Sequence, residues 1–375
     1  MTDPTQQHAA PDWQSSDQQN VLVQDPYRMS RRSTIALVAV FLLIALGALS
    51  SMVGLPYAIM KPGPITNTLG QLAGKQLITV SGAQTYPTQG ALDFTTVRIS
   101  GGPGYRVTVW DLLAAAIKPS EDVVDEDLYF PKGVTDKQVE EESTAEMIDS
   151  QQEAIAVALK AVGQKVVEHV VIGQVAKDAP SAALLKAGDE IVTVDGKTVA
   201  DSNAVRASVS THKPGESVAL GLVRDGKPLT VTAKTRDAQG RATVGVFLGV
   251  RFEFPIDVKI NAGDVGGPSA GTMFSLAVYD TLTPGPLTGG QQIAGTGTID
   301  STGKVGPIGG IQQKLVGAHD GGAKWFLAPA ENCDEVVGHV PDGLRVVRIA
   351  TFDEAKTAVE AIADKRADSL PTCTK

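Results

Sequence analysis

A serine and a lysine 45 residues apart are the side chains best set for chemistry in this chain. Ser269 lies in Asp264-Val-Gly-Gly-Pro-Ser-Ala-Gly-Thr-Met-Phe-Ser-Leu-Ala-Val278. Gly266 and Gly267 permit a tight turn after a strand expected at 256–260. Pro268 suits a first helical position, where its missing N–H costs nothing. The spacing predicts Ser269 on the first turn of a buried helix that runs to about Leu282, with Pro284 marking its end. Free amides at such a terminus, those of Ser269 and Ala270, point outward and favour negative charge. They would hold the oxyanion formed when Ser269 attacks a peptide carbonyl.

A serine hydroxyl is a weak nucleophile until a base takes its proton. Val305-Gly-Pro-Ile-Gly-Gly-Ile-Gln-Gln-Lys-Leu-Val-Gly-Ala318 reads as a Gly/Pro turn followed by a helix that carries Lys314. Ile311, Leu315 and Ala318 follow a helical apolar spacing beside it, which predicts an inward-leaning ammonium stem. A free lysine titrates near 10.4, so a base near neutrality needs a depression of roughly 2 to 3 units. Burial against apolar walls supplies such a shift. Alone, Ser269 fits a helix cap and Lys314 a solvated helix face. Together they form a nucleophile–base pair.

The elements that must position this pair begin after an apolar stretch. Residues 33–60 carry no charged side chain, and Arg28, Arg31 and Arg32 stand just before them. The run 33–57 is long enough to cross a bilayer, and the positive-inside rule puts the N-terminus in the cytoplasm and the rest outside. The polar segment ahead of the run is about 30 residues, long for a signal peptide, so an uncleaved anchor is expected, with a cleaved signal as the alternative. Tyr57 would mark the outer interface, and Lys61-Pro-Gly-Pro64 a stiff exit from the membrane. Residues 1–32 have few large apolar side chains and are expected to form a disordered cytoplasmic tail.

Beyond the anchor, strands are expected near 76–80 and 92–100 and a short helix at 110–117. Residues 121–142 are acidic and read as a solvated loop or ragged helix. Ser143-Thr-Ala-Glu146 fits a capping box for a helix that Gly163 ends. Residues 166–236 read as short strands with turns at Lys213-Pro-Gly215 and Arg224-Asp-Gly226. Within them Ala179 to Gly196, with Gly188-Asp-Glu-Ile191 and a final Asp195-Gly196 turn, resembles PDZ domains. The use of such a fold is addition of a peptide strand to a free sheet edge. No Gly-Leu-Gly-like carboxylate loop precedes Val170–Val175, so capture of a free C-terminus is not implied.

The serine and lysine segments together resemble the proteolytic domain of the Lon family, from about Val258 to Pro329 and in motif order. Gly267-Pro-Ser-Ala-Gly271 corresponds to the nucleophile segment, and Pro307-Ile-Gly-Gly310 with Lys314 to the lysine segment. Ala318 to Asn332 matches the helix-to-strand passage that follows. The resemblance implies a supporting role for Thr296, which falls where the family has a threonine that orients the lysine. Two departures stand out. Gly267 replaces an acidic residue that many Lon enzymes carry, and no GxxxxGK[ST] nucleotide motif occurs. The arrangement resembles a bacterial group of membrane-anchored, PDZ-containing Lon-like proteases. It implies a peptidase without ATP, cofactor or metal that acts on exported or membrane-proximal proteins and peptides in flexible or unfolded form. It also implies self-association, since Lon-type domains often form rings.

The expected fold is therefore an α/β (α+β) Lon-type proteolytic domain with an inserted PDZ-like β-rich domain and one N-terminal transmembrane helix. Its parts are the first portion of the protease region at 66–163, the PDZ-like unit at 166–236, the Lon-type domain at 240–350, and a closing helix and tail at 351–375, capped near Thr351. The net charge of −9 offers no basic face for nucleic acid. Cys333 and Cys373 are the only cysteines, too few for a structural zinc site. They are either a disulfide, which an exported body would favour, or two unrelated thiols. Gly267-Pro-Ser-Ala-Gly271 also fits the GxSxG elbow of α/β-hydrolases. His319 and His339 stand downstream, but parallel α/β repeats are not evident. A trypsin-like protease would place its PDZ unit after the serine, not before. The rival of another class is a catalytically inactive, anchored PDZ scaffold.

Overall fold

A computed structural model describes residues 29–374. The expected tail lies outside the described residues as far as position 28. Helix α1, Arg31–Ser50, opens on Ser30, whose hydroxyl accepts from the Ser33 N–H. Its 20 residues are long and apolar enough to span a membrane and bury none of their side chains within the protein. The helix stops seven residues short of the expected limit at 57. Tyr57 instead begins a strand, because β-pairing satisfies its backbone.

The chain from Leu55 onward forms one compact unit. Its first part contains β1 (Tyr57–Asn67), β2 (Ile78–Ser81), β3 (Ala91–Ser100), α2 (Val109–Ala116), β4 (Asp122–Asp125) and α3 (Asp136–Ala161). A β-rich insert follows, with β5 (Val167–Val175), β6 (Glu190–Val194), α4 (Ser202–Ser210), β7 (Ser217–Arg224), β8 (Lys227–Lys234) and β9 (Val246–Glu253). The last part contains β10 (Asp257–Ile260), α5 (Gly271–Leu282), β11 (Gln292–Gly295), the short hairpin β12 (Thr298–Ile299) and β13 (Val305–Gly306), and α6 (Ile311–Asp320). It closes with β14 (Trp325–Pro329), α7 (Cys333–Val336), β15 (Arg345–Ile349) and α8 (Phe352–Ala363).

Strands from both sides of the insert share one mixed sheet, in the order β15-β14-β11-β3-β1-β4. The pairs among β15, β14, β11 and β3 are parallel, and β1 runs antiparallel to β3 and β4. Alternating side chains serve two layers. Ile293, Leu327 and Val347 face a core shared with α3, α5 and α8, whereas Ala294, Phe326 and Val346 face one shared with α6 and α7. The β2–β10 pair adds a second tie across the insert.

Four expectations change here. Lys61-Pro-Gly-Pro64 is not a membrane exit but the middle of β1, where the register shifts between Pro62 and Ile65 because two prolines lack N–H donors. Helix α3 starts at Asp136, so part of the expected acidic loop is helical. Its capping box is Thr135 with Gln138, and Ser143 lies two turns inside. The insert's antiparallel sheet, β8-β7-β6-β5-β9, extends past 236, since β9 pairs with β5 from Val246 to Glu253. Finally, α5 begins at Gly271, which leaves Ser269 in the turn before the helix rather than on its first turn. Of the two cysteine alternatives the structure has the disulfide, Cys333–Cys373, with Cα atoms 5.0 Å apart. Helix α8 is capped by Thr351 as expected.

Candidate active site

The Ser269 turn is held from two sides. Gly267 has φ +79°, a left-handed conformation that favours glycine, and its N–H donates to the Ser143 carbonyl on α3 at 2.9 Å. The Ser150 hydroxyl, one face along α3, donates to the Pro268 carbonyl at 2.9 Å. From the other side the Gly297 N–H and the Thr296 hydroxyl donate to the Ser269 carbonyl, at 2.8 and 2.9 Å. Among the described residues no protein acceptor takes the N–H of Ser269 or Ala270, and Ala270 caps the N-terminus of α5.

Lys314 reaches this turn from α6. Gly310, left-handed at φ 69°, precedes the helix, which lies on β1 where Gly317 meets Gly63. A Cβ on Gly317 would stand 2.8 Å from the Gly63 carbonyl oxygen. The Pro-Gly-Pro segment thus seats the helix that carries the lysine. Lys314 is 2% exposed. As an ammonium its Nζ donates to Ser269 Oγ at 2.7 Å and to Thr296 Oγ1 at 2.9 Å. No carboxylate among the described residues forms an ion pair with it. Burial alone pushes its pKa down to about 7.

The hydroxyl inventory then sets the direction of each bond. The single Thr296 proton goes to the Ser269 carbonyl, so its oxygen is left to accept from Lys314. In the neutral form one Nζ–H fills that bond, and the lone pair is directed at Ser269 Oγ. Ser269, Lys314 and Thr296, the three side chains singled out from the sequence, therefore meet at one point. His319 bonds Asp320 instead, and no histidine among the described residues bonds Ser269.

The pair opens on a cleft of about 660 Å³, walled by Phe94, Glu146, the 264–270 segment and the 307–309 loop. Two contributors escaped sequence reasoning. Asn332, 1% exposed, clamps the loop: its Oδ1 accepts the Ile308 N–H and its Nδ2 donates to the Ile308 carbonyl, both at 2.9 Å. Glu146 lies on the α3 face that also carries Ser150. A lone Asn after an apolar strand gives no local cue to the loop it holds, 24 residues earlier in the chain.

Comparison with known proteins identifies two domain types. The model of the Lon protease (S16) C-terminal proteolytic domain matches residues 250–362, and that of the PDZ domain matches 139–235. The chain carries a PDZ domain and a Lon-type proteolytic domain. The Lon protease of Haemophilus influenzae is 38% identical over 116 residues, 28% of this chain and 14% of that one. The Lon protease of Clostridioides difficile is 32% identical over 216 residues, 53% of this chain and 27% of that one. This chain thus spans about a quarter or less of the length of these relatives. The solved PDZ domain of an SdrC-like protein from Listeria monocytogenes is 27% identical, with TM-score 0.20, covering 21% of this chain and 85% of that one. The PDZ match begins inside α3, although that helix packs on α5 in the core of the Lon-type domain.

Proposed function

We propose that the chain is a membrane-anchored serine endopeptidase in which Lys314 is the general base for Ser269. The observation that carries this reading is a buried amine, without a carboxylate partner, 2.7 Å from a serine hydroxyl at the edge of an open cleft. Nζ takes the Oγ proton as Oγ attacks a substrate carbonyl, and the ammonium so formed gives that proton to the leaving amine. The oxyanion faces the N–H groups of Ser269 and Ala270 at the mouth of α5. Water then attacks the acyl-enzyme, with Lys314 as base again. Thr296 is a positioning residue that spends one Nζ–H and aims the lone pair.

The remaining features support an ATP-independent enzyme whose catalytic part lies outside the cytoplasm. Arg31 and Arg32 at the start of α1 support an N-terminus held on the cytoplasmic side. The Cys333–Cys373 bond suits an oxidising compartment. Without a nucleotide motif for unfolding, substrates are flexible or unfolded segments of exported or membrane-proximal proteins. Strand β9 is a sheet edge with an exposed Phe247. With α4 it walls a groove of about 520 Å³, which supports docking of an extended peptide by strand addition.

The test is a serine-reactive phosphonate probe together with an unfolded polypeptide substrate. Labelling and cleavage are expected in wild type and absent in Ser269→Ala and Lys314→Ala. A folded wild-type protein that neither labels nor cuts leaves the PDZ scaffold as the surviving reading.

A further inference from the structure

The cleft that holds Ser269 and Lys314 does not end at the catalytic pair. It shares Glu146, Pro268 and Thr298 with a second cleft of about 360 Å³ between α3 and the β12–β13 hairpin. That cleft shares Asp149, Glu153 and Asp300 with a third, of about 870 Å³, whose far wall is the β9 edge strand at Leu248 to Val250. A continuous path therefore joins the nucleophile to the free edge of the PDZ sheet.

The floor of this path is one face of α3. Glu146, Asp149 and Glu153 are spaced i, i+3 and i+7, and side chains so spaced share a helix face. Ser150 on the same face holds the Pro268 carbonyl, one residue from the nucleophile. None of the three carboxylates has a cation within ion-pair distance among the described residues, and Asp300 opposite them has none either. The lysines that line these clefts have other partners: Lys160 pairs with Glu168 and Lys304 with Glu331. Arg206, on the PDZ side of the widest cleft, bonds Asn203.

We infer that Glu146, Asp149 and Glu153 are specificity-determining residues, which select extended polypeptide segments that place lysine or arginine side chains along α3 beside the scissile bond. The inference rests on the peptidase reading above. An uncompensated row of carboxylates repels an acidic chain and attracts a basic one, and because Glu146 and Asp149 are exposed, salt screens both effects. The crowding is already felt within the protein. Burial, together with Asp300, Asp149 and Glu168, pushes the Glu153 carboxyl up to about 7. A substrate cation would relieve that repulsion.

The experiment uses the full chain and pairs of internally quenched peptides. Each pair has identical residues at the scissile bond and either three lysines or three glutamines on one side of it; one pair places them N-terminally, another C-terminally. For at least one placement, wild type is expected to show kcat/KM about tenfold higher for the lysine peptide at low salt, with the ratio shrinking as salt rises. The triple variant Glu146→Gln/Asp149→Asn/Glu153→Gln is expected to bring the ratio close to one. Because the readout is a ratio within one preparation, partial misfolding cancels. Equal cleavage of both peptides by wild type, or an unchanged ratio in the triple variant, overturns this inference and leaves the peptidase reading standing. A wild type that cuts no peptide at all overturns both.

Discussion

The molecule buries a charge in two ways, and its two domains divide them. In the PDZ domain Asp189 is 1% exposed, and Arg224 meets it with two hydrogen bonds of 2.6 and 2.7 Å. The Lys186 N–H adds a third. The guanidinium bonds hold the Asp189 carboxyl below the usual carboxylate range, so it stays ionised. In the Lon-type domain Lys314 is equally buried and has two hydroxyls in place of a counter-ion. Burial brings its pKa down to about 7. A paired charge is locked in one protonation state and serves structure. An unpaired one is held near its switching point, and a proton can move on and off it at neutral pH.

The strongest way to break this contrast is to lock Lys314 in its charged form. Lys314→Arg keeps the cation but cannot give up its proton, so peptide cleavage should fall at least ~1000-fold, as it should in Ser269→Ala. Turnover by Lys314→Arg near wild-type rates would exclude the amine as base.

A pH series sharpens the same point. If neutral Lys314 is the reactive form, log kcat/KM should climb with unit slope below about pH 7 and level off above it. Stability carries the opposite face of the shift. The folded-state pKa of about 7 lies below the ordinary lysine value of 10.5. Between those values the unfolded chain holds the extra proton, so stability rises with pH across that window. Lys314→Met should remove this slope and stabilise the inactive protein at pH 7 by on the order of 1 kcal/mol or more. Urea titrations at pH 7 and 9 would read it, and a slope that survives the substitution belongs to another group.

Asn332→Ala tests how much the cleft wall depends on its clamp. Two half-buried backbone groups of Ile308 lose their partners, which costs about 1–2 kcal/mol of stability. The loss in kcat/KM should be roughly tenfold, because the 307–309 loop both lines the cleft and leads into the Lys314 helix. If catalysis is unchanged while the melting temperature drops, the clamp is structural only.

The smallest effect on catalysis is expected on the paired side. Arg224→Leu strands the Asp189 carboxylate, so the melting temperature of the PDZ domain should fall by several degrees at neutral pH. The Asp189 pKa is depressed in the fold, so its contribution is present above the unfolded value of 3.8 and fades as pH falls through the lower folded value. Calorimetry at pH 7 and pH 3 should therefore show wild type and variant converging in acid. Hydrolysis of short peptides should change far less than stability. A collapse of that activity would mean that the two domains do not divide their charges as described.

Much of the site was legible because its parts are local. Gly266-Gly-Pro-Ser269 describes a turn, and Gly309-Gly310 followed by Ile311, Lys314 and Leu315 describes a helix with an inward lysine; neither needs distant neighbours. Boundaries fared worse where two local signals compete. Ser143 and Thr135 each head a plausible capping box, and the helix takes the earlier one, where Thr135 and Gln138 bond reciprocally, although none of its residues before Met147 is buried. Residues 246–253 read as the start of the protease region, yet the free edge of β5 recruits them into the PDZ sheet. Lys61-Pro-Gly-Pro64 carries the signature of an exit loop and is instead the seat of α6.

The sequence by itself determined the parts: a serine beside a helix mouth, a lysine on an apolar helix face, and an apolar span ahead of both. Tertiary structure alone decided that they would meet. The amine and the hydroxyl come from segments 45 residues apart, brought to 2.7 Å by a sheet assembled from both sides of the PDZ insert. The pKa of Lys314 follows from that assembly, because desolvation depends on everything packed around a group and on nothing in its own immediate sequence.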